Sequence, residues 1–262
     1  MKYLFNILSW LVIFVLFSGC SDESANSKHS LSSVRQDIKA GELLPRQQFD
    51  RRDNLNVRLQ IYTFYISEEG YAELSEVFDK AGQLGFEYSD EKDFIANGLV
   101  TTGGDMLAWN FLSKVLTKEQ AKVASHMSLQ TLEGMSEDVF ISRLEAPSNV
   151  HYSSGGVVSG LSLVPGEFVL RLKPEPLIGL RRATRLDIET VYKTSIAERG
   201  KFGEFVFEAV DCRVRLSPGQ FILMGPRVWK ADYDFLGDKM FFPERSVSAV
   251  HFCVIVCDSI LE

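Results

Sequence analysis

Nine consecutive residues near the C-terminus, Ala249-Val250-His251-Phe252-Cys253-Val254-Ile255-Val256-Cys257, carry no Asp, Glu, Lys or Arg and hardly alternate in polarity. A strand with one wet face alternates with period two, whereas a run like this one is buried on both faces. It belongs in the middle of a sheet, and the rest of the chain has to fold around it.

Other segments after Pro147 have strand character as well. Val157–Val164, Phe168–Leu172, Arg185–Tyr192, Phe205–Leu216 and Phe221–Met224 are rich in β-branched and aromatic residues. Arg185-Leu186-Asp187-Ile188-Glu189 alternates, so one side faces water and the other a core. Residues 147–262 therefore read as a β-rich, mainly antiparallel half. Two turns within it share a design: Val164-Pro165-Gly166-Glu167-Phe168 and Ser217-Pro218-Gly219-Gln220-Phe221 each offer a Pro that presets φ and a Gly for the positive φ of a type II turn.

The preceding stretch has a different rhythm. Val57–Ile66 reads as a strand, and Glu68–Ala81 places Tyr71, Leu74, Val77, Phe78 and Ala81 on one helical face. Phe94–Thr102 reads as a second strand, interrupted at Asn97-Gly98, and Asp105 as the N-cap of a helix over Met106–Leu116. Phe111, Leu112, Val115 and Leu116 are expected to form the buried face of that helix. Strand, helix, strand, helix makes a small α/β unit over residues 55–146. The expected fold class is thus α+β, an α/β unit followed by a β-rich half, and the two can share one core because no disordered linker separates them.

Composition excludes several classes. Hydrophobic residues at 45% and charged residues at 24% are those of a globular chain, not of a disordered one or a multispan membrane protein. A net charge of −7 gives no electrostatic reason to bind nucleic acid. Phosphate-loop, dinucleotide, zincin and nucleophile-elbow motifs are missing. Ser159 lacks the glycines two residues on either side that an elbow needs. Ser89-Asp90-Glu91-Lys92 matches Ser-x-x-Lys formally, but lies in a polar loop. No pair of carboxylates is set apart as acid and base. The chain is read as a non-enzyme with no catalytic residue and no cofactor.

His251, Cys253 and Cys257 share one face of their strand, and imidazole with two thiolates is a soft-metal donor set. At about 3.3 Å per residue, however, His251 and Cys257 are about 20 Å apart, too far for one ion. No metal site is expected. Cys253 and Cys257, about 13 Å apart on the same count, cannot pair with each other. Cys212 leaves two alternatives open: one disulfide, to Cys253 or to Cys257, or three buried reduced thiols.

The most aromatic irregular stretch runs from Gly225 to Pro243 and holds Trp229, Tyr233, Phe235, Phe241 and Phe242. Arg227 and Lys230 add positive charge on an acidic chain. These seven residues form the expected partner-contact surface, because contiguous exposed aromatics mark contact and a basic rim steers an acidic partner. The competing arrangement is a long loop packed back over a sheet edge.

At the other end, Lys2 precedes an apolar run, Ile7–Phe17, interrupted only at Ser9. This is too short to span a bilayer, which takes about 20 residues, and suits the core of an export signal. Leu16-Phe17-Ser18-Gly19-Cys20 resembles the lipobox of bacterial lipoproteins, with Phe17 standing where that family has Leu. The resemblance implies a signal peptide over residues 1–19, cleavage before Cys20, and attachment of that thiol to membrane lipid with fatty acids such as palmitate. Ser21 in place of the Asp that retains such proteins at the inner membrane favours the outer membrane. Residues 20–54 then form a lipidated flexible tether; Ser21–Lys28 has nothing to bury.

A strand-helix-strand-helix unit followed by strands with Pro-Gly turns is similar in outline to the periplasmic part of bacterial secretins. Phe94–Leu116 supplies the strand, Gly turn and helix of one ring-building domain, while the membrane-lip elements of a secretin are not found. Taken together, the leading reading is a membrane-anchored lipoprotein of the cell envelope, a structural or protein-interaction component with an envelope protein as partner. The alternative is a periplasmic small-molecule or glycan-binding lipoprotein, followed by an envelope hydrolase.

Overall fold

A computed structural model of the chain describes residues 56–261, apart from 82–83, 119–120, 133, 178–182, 195–202, 230–233 and 243–248. The expected leader and tether, with Cys20, lie outside the described residues, as do Lys230 and Tyr233. In chain order the first elements are β1 (Asn56–Ile66), α1 (Glu68–Lys80), β2 (Phe86–Tyr88), α2 (Glu91–Ala96), β3 (Leu99–Gly104) and α3 (Met106–Lys118). Four strands follow: β4 (Lys122–Leu132), β5 (Glu137–Leu144), β6 (Ser148–Ser154) and β7 (Val157–Leu163). The rest comprises β8 (Gly166–Leu177), β9 (Ala183–Thr194), β10 (Glu204–Val206), β11 (Cys212–Leu216), β12 (Phe221–Pro226), α4 (Leu236–Phe241) and β13 (Val250–Leu261).

Two antiparallel sheets carry the fold. The first has the order β3-β12-β13-β1-β4, the second β2-β11-β9-β8-β5 with β10 on β9, and β6 and β7 make a separate ribbon. β13 lies between β12 and β1, and every residue from Val250 to Cys257 is buried. Its even-numbered side chains face the helices: Val256 is level with Phe221, whose ring meets Trp109 of α3 at 5.3 Å. Its odd-numbered ones, His251, Cys253, Ile255 and Cys257, point the other way, toward the second sheet, where β1 meets β8. The second sheet is buried on that side through Leu170, Leu172, Leu186 and Ile188. Its outer side is charged.

The expected α+β organisation is overturned. The described structure is mostly antiparallel strand, and no separate helix-rich α/β unit is evident. The reason lies in pairing. β1 is completed by β13 along its whole length and β3 by β12, so early strands take their partners from the C-terminal half. Helices at Glu68–Lys80 and Met106–Lys118 do form where apolar spacing places them, capped by Ser67, which accepts from Gly70 N, and by Asp105, which accepts from Leu107 N at 2.8 Å. They cover one face of a sheet that belongs to the whole chain.

Local expectations shift for local reasons. Phe94 lies in a helix, because Asp90 accepts from Lys92 N and Asp93 N and so caps α2, and only Leu99 onward is strand. Phe205–Leu216 is split by a helical turn at Glu208–Val210. The two Pro-Gly turns prove unlike: Gly219 has φ 84° within a turn closed by Gln220 N on Ser217 O, whereas Gly166 is the first residue of β8. A Cβ on Gly166 would lie 2.4 Å from Lys193 O, so close approach, not turn geometry, requires glycine there.

Candidate partner-contact surface

The segment expected to contact a partner is largely folded inward. Leu236, Met240 and Phe241 are fully buried in α4, a short helix with only Lys239 of its six residues not buried. Phe242, 7% exposed, packs on Trp229 at 5.7 Å, and Trp229 is half-buried against Tyr71 of α1. Phe235 is half-buried with its ring 5.7 Å from His151. Arg227 is exposed, and its backbone N–H donates to Gly98 O. The rings of Phe241 and Phe242 are therefore core, and the contiguous exposed patch does not exist at those two positions; a helical turn was hidden in a stretch too short to show a period.

The exposed apolar surface is instead on α3. Eight of its thirteen residues are apolar (Met106, Leu107, Ala108, Trp109, Phe111, Leu112, Val115 and Leu116), more than one stripe can bury. Ala108, Trp109, Leu112 and Leu116 take the inside. Met106 at 48%, Leu107 at 70% and Phe111 at 57% exposure are left outside. Phe111, expected on the buried face, points to solvent; the signal that could have located this surface is the excess of apolar residues at the start of the helix.

Leu107 and Phe111 border a groove of about 590 Å³ between α1 and α3, floored by Val77, Ala81, Ala108 and Val115. The helices run antiparallel, since Lys118 at the end of α3 donates to Glu73 near the start of α1. One rim is acidic, with Glu73 and Glu76 from α1; the other is basic, with Lys114 lying over the Phe111 ring at 5.8 Å. The arrangement offers a neutral, apolar trough between walls of opposite sign.

A second depression, about 280 Å³, is lined by Glu87, Ser89, Asp187, Glu189, Asp211 and Arg213. Burial, with smaller contributions from Glu189, Glu208 and Asp187, pushes the Asp211 carboxyl up to about 7, against the bond it accepts from Thr190 N. Asp187 is engaged by Arg213 and Arg185. Asp211 can hold a proton near neutrality. Among the described residues, no group of three or more His, Cys, Asp or Glu is placed to hold a metal ion.

His251 is buried edge-on against Tyr65, and burial lowers its pKa to about 4. Cys212, Cys253 and Cys257 are free and buried, so neither disulfide alternative is formed. Cys212 belongs to β11 of the second sheet and the other two to β13 of the first. Burial pushes the Cys253 and Cys257 thiols up to about 12 and Cys212 upward too, which leaves them protonated and unreactive.

No protein-family model matches the chain. No curated protein matches it either. Among solved structures, the type II secretin GspD of enteropathogenic Escherichia coli matches 100% of this chain and 84% of its own at 13% identity, with a TM-score of 0.25. The pilotin–secretin complex AspS–GspD of ETEC matches 97% of this chain and 59% of its own at 13% identity and a TM-score of 0.24. The type II secretion secretin XcpQ of Pseudomonas aeruginosa matches 80% and 57% at 13% identity and 0.21. The chain spans less than two thirds of the latter two. The structural similarity to secretins is weak, and the functional reading rests on the surface itself.

Proposed function

We propose that the chain is a lipid-anchored lipoprotein of the cell envelope, held to the membrane, and preferentially the outer one, through acylated Cys20. Its folded part acts as a structural or protein-interaction component without catalysis. The leader residues up to Ser18-Gly19-Cys20 support the address. The single observation that carries the interaction role is the set of Met106, Leu107 and Phe111 exposed on α3, the last two lining an apolar groove. A solvated domain has no use for three large apolar side chains on one helix unless something covers them.

The occupant that fits is an amphipathic helix of an envelope protein. A third helix lies naturally in the trough between two, with its apolar seam on Leu107 and Phe111. An acidic residue on its flank would face Lys114. Leu107→Glu with Phe111→Glu should abolish partner capture in a cross-linked pull-down from intact membranes while the melting temperature stays. Undiminished capture would refute the groove. For the anchor, labelling cells with a radioactive fatty acid should mark the wild-type band and not Cys20→Ala; an unlabelled wild type removes the lipoprotein assignment.

A further inference from the structure

We infer that β7 is an open strand edge through which two copies of the chain pair, a second interface that does not depend on the groove. β7 pairs with β6, and among the described residues no other strand lies beside it. Val157 through Gly160 are exposed on both faces, Val157 at 67% and Val158 at 54%. Edge strands are ordinarily protected by charge, proline or a bulge. Three of the four outermost strands of the two large sheets follow this: β4 carries Lys122, β5 carries Glu137, Asp138 and Arg143 with a register shift, and β2 carries Glu87. The fourth, β3, is uncharged, but the Leu84 side chain lies against Gly103 and the Tyr88 hydroxyl bonds Thr101 there. β7, Val-Val-Ser-Gly-Leu-Ser-Leu, has no charge and no proline, and its register with β6 runs without a shift.

The edge is also held rigid. Asn97 of the α2 C-terminus donates through Nδ2 to Ser153 O at 2.8 Å and accepts from Ser153 N at 2.9 Å. Ser153 Oγ donates to Asp93 Oδ1 at 2.6 Å, and the same carboxylate accepts from Gly156 N. Ala209 N donates to Tyr152 Oη at 2.9 Å. All of these grip β6 or the turn, so β7 is presented with little ordering left to do on pairing.

Gly155 and Gly156 both have positive φ, 61° and 74°, which is a two-residue hairpin turn of the primed kind. Ser154 and Val157 close it, so bonds to β6 alternate from there and Val158, Gly160 and Ser162 turn their N–H and C=O outward. Antiparallel pairing of β7 with itself about Gly160 sets Val158 against Ser162 twice and Gly160 against Gly160, engaging all three. A second copy is the occupant because the strand is self-complementary and neutral. On a chain of net charge −7, it is a place where two copies can meet without opposing like charges. The product, β6-β7-β7-β6, has four strands, past the two-stranded ribbon that is marginal in water, and closes by a two-fold axis.

The test uses the full chain in detergent with Gly160→Cys. A Cβ there meets nothing within 4 Å, so the fold is kept. The native Cys212, Cys253 and Cys257 are buried, and Cys20→Ser is introduced in the variant and the wild-type control alike so that no other thiol can cross-link. Opposed residues of a bonded antiparallel pair lie about 5.5 Å apart at Cα, within disulfide range. Mild oxidation should give a disulfide-linked dimer from Gly160→Cys and not from wild type. Adding Val158→Lys should lower its yield roughly tenfold, because a strand-edge Lys blocks pairing. A yield no higher than that of a cysteine placed on exposed Ser75 of α1, or cross-links only to another protein, would overturn the inference. Leu107→Glu with Phe111→Glu should leave this dimer intact, which separates its failure from that of the groove.

Discussion

The outer face of the second sheet and the outer face of α3 are both turned to water, yet they are built in opposite ways. On the sheet, nearly every outward side chain has a partner across the strands. Arg171 donates to Asp138 through two nitrogens, at 2.9 and 3.2 Å, and to Glu204 at 3.1 Å; Lys193 pairs with the same two carboxylates. Arg213 and Arg185 both engage Asp187. The charges of Arg171, Lys193, Asp138, Glu204 and Asp187 are answered within the chain, and the Asp138 carboxyl is held below its usual range by the two cations although burial opposes them. On α3 the outward residues include, beside Asn110, Lys114, Thr117 and Lys118, the large apolar Met106, Leu107 and Phe111, of which Phe111 is met by Lys114 over its ring. A surface that completes itself is a boundary; one that leaves apolar area open is an interface in waiting.

The largest contrast is within α3 itself. Trp109 is 2% exposed with its ring against Phe221, while Phe111, two residues on, is 57% exposed. Trp109→Ala should destabilise by roughly 3–5 kcal/mol, the cost of a large core deletion, read as a shift in the denaturant midpoint. A loss under about 1 kcal/mol would mean that the helix does not seal the first sheet.

That inside and outside were confused at Phe111 shows what a sequence can and cannot disclose. β13 is legible because a neutral, non-alternating run has one physical home, and β1, α1 and α3 are legible from β-branched density and 3.6-residue spacing. β4 is not: as an outermost strand it buries only Leu129 and Thr131, so Lys122–Leu132 looks like polar linker. β5 hides because its register shift between Phe140 and Ser142 breaks the alternation. The α/β unit was an artefact of these losses, since a stretch seen without β4 and β5 is left with too few strands for its helices. Which apolar residues of α3 face outward is a tertiary fact, decided by where Phe221 and Ala81 sit. The inward turn of Phe241 depends likewise on α4, a helix of 6 residues.

Next in size is a pH effect at the end of the charged face where ion pairing gives out. The Asp211 carboxyl, raised to about 7, keeps its proton in the folded state where an ordinary Asp at 3.8 has lost it. Between about pH 4 and 7 the unfolded chain therefore binds fewer protons, and this group makes stability fall as pH rises. His251 opposes it. With a folded pKa of about 4 against 6.5, it makes stability rise with pH over that interval. Asp211→Asn should leave the His251 slope alone, so the gap in melting temperature between variant and wild type widens up to about pH 7 and is flat above. A gap independent of pH would show that Asp211 is not the titrating group.

A smaller effect is expected where charges are well answered. Arg171→Met keeps the stem that covers the sheet and removes the guanidinium, with 21% of the side chain exposed. The loss should be about 1 kcal/mol, since Lys193 still serves Asp138 and Glu204, and it should shrink at high salt. Equal losses at low and high salt would assign the cost to packing instead.

The smallest stability change should come from the most consequential surface residue. Phe111→Ala gives up the contact of Lys114 with the ring, worth about 0.5–1 kcal/mol at an exposed site, and some partial burial over Val115. Against this, Ala is the better helix former by roughly half a kcal/mol, so the two nearly cancel and stability should move by no more than about 0.5 kcal/mol. Partner capture should fall sharply all the same, because a large ring at the centre of a contact carries a disproportionate share of its affinity. Measured side by side, Trp109→Ala and Phe111→Ala should thus divide cleanly, one unfolding the domain and the other silencing it. A Phe111→Ala chain that melts several degrees early would place the ring in the core after all, and one that melts normally and still captures its partner would leave the exposed face of α3 without a purpose.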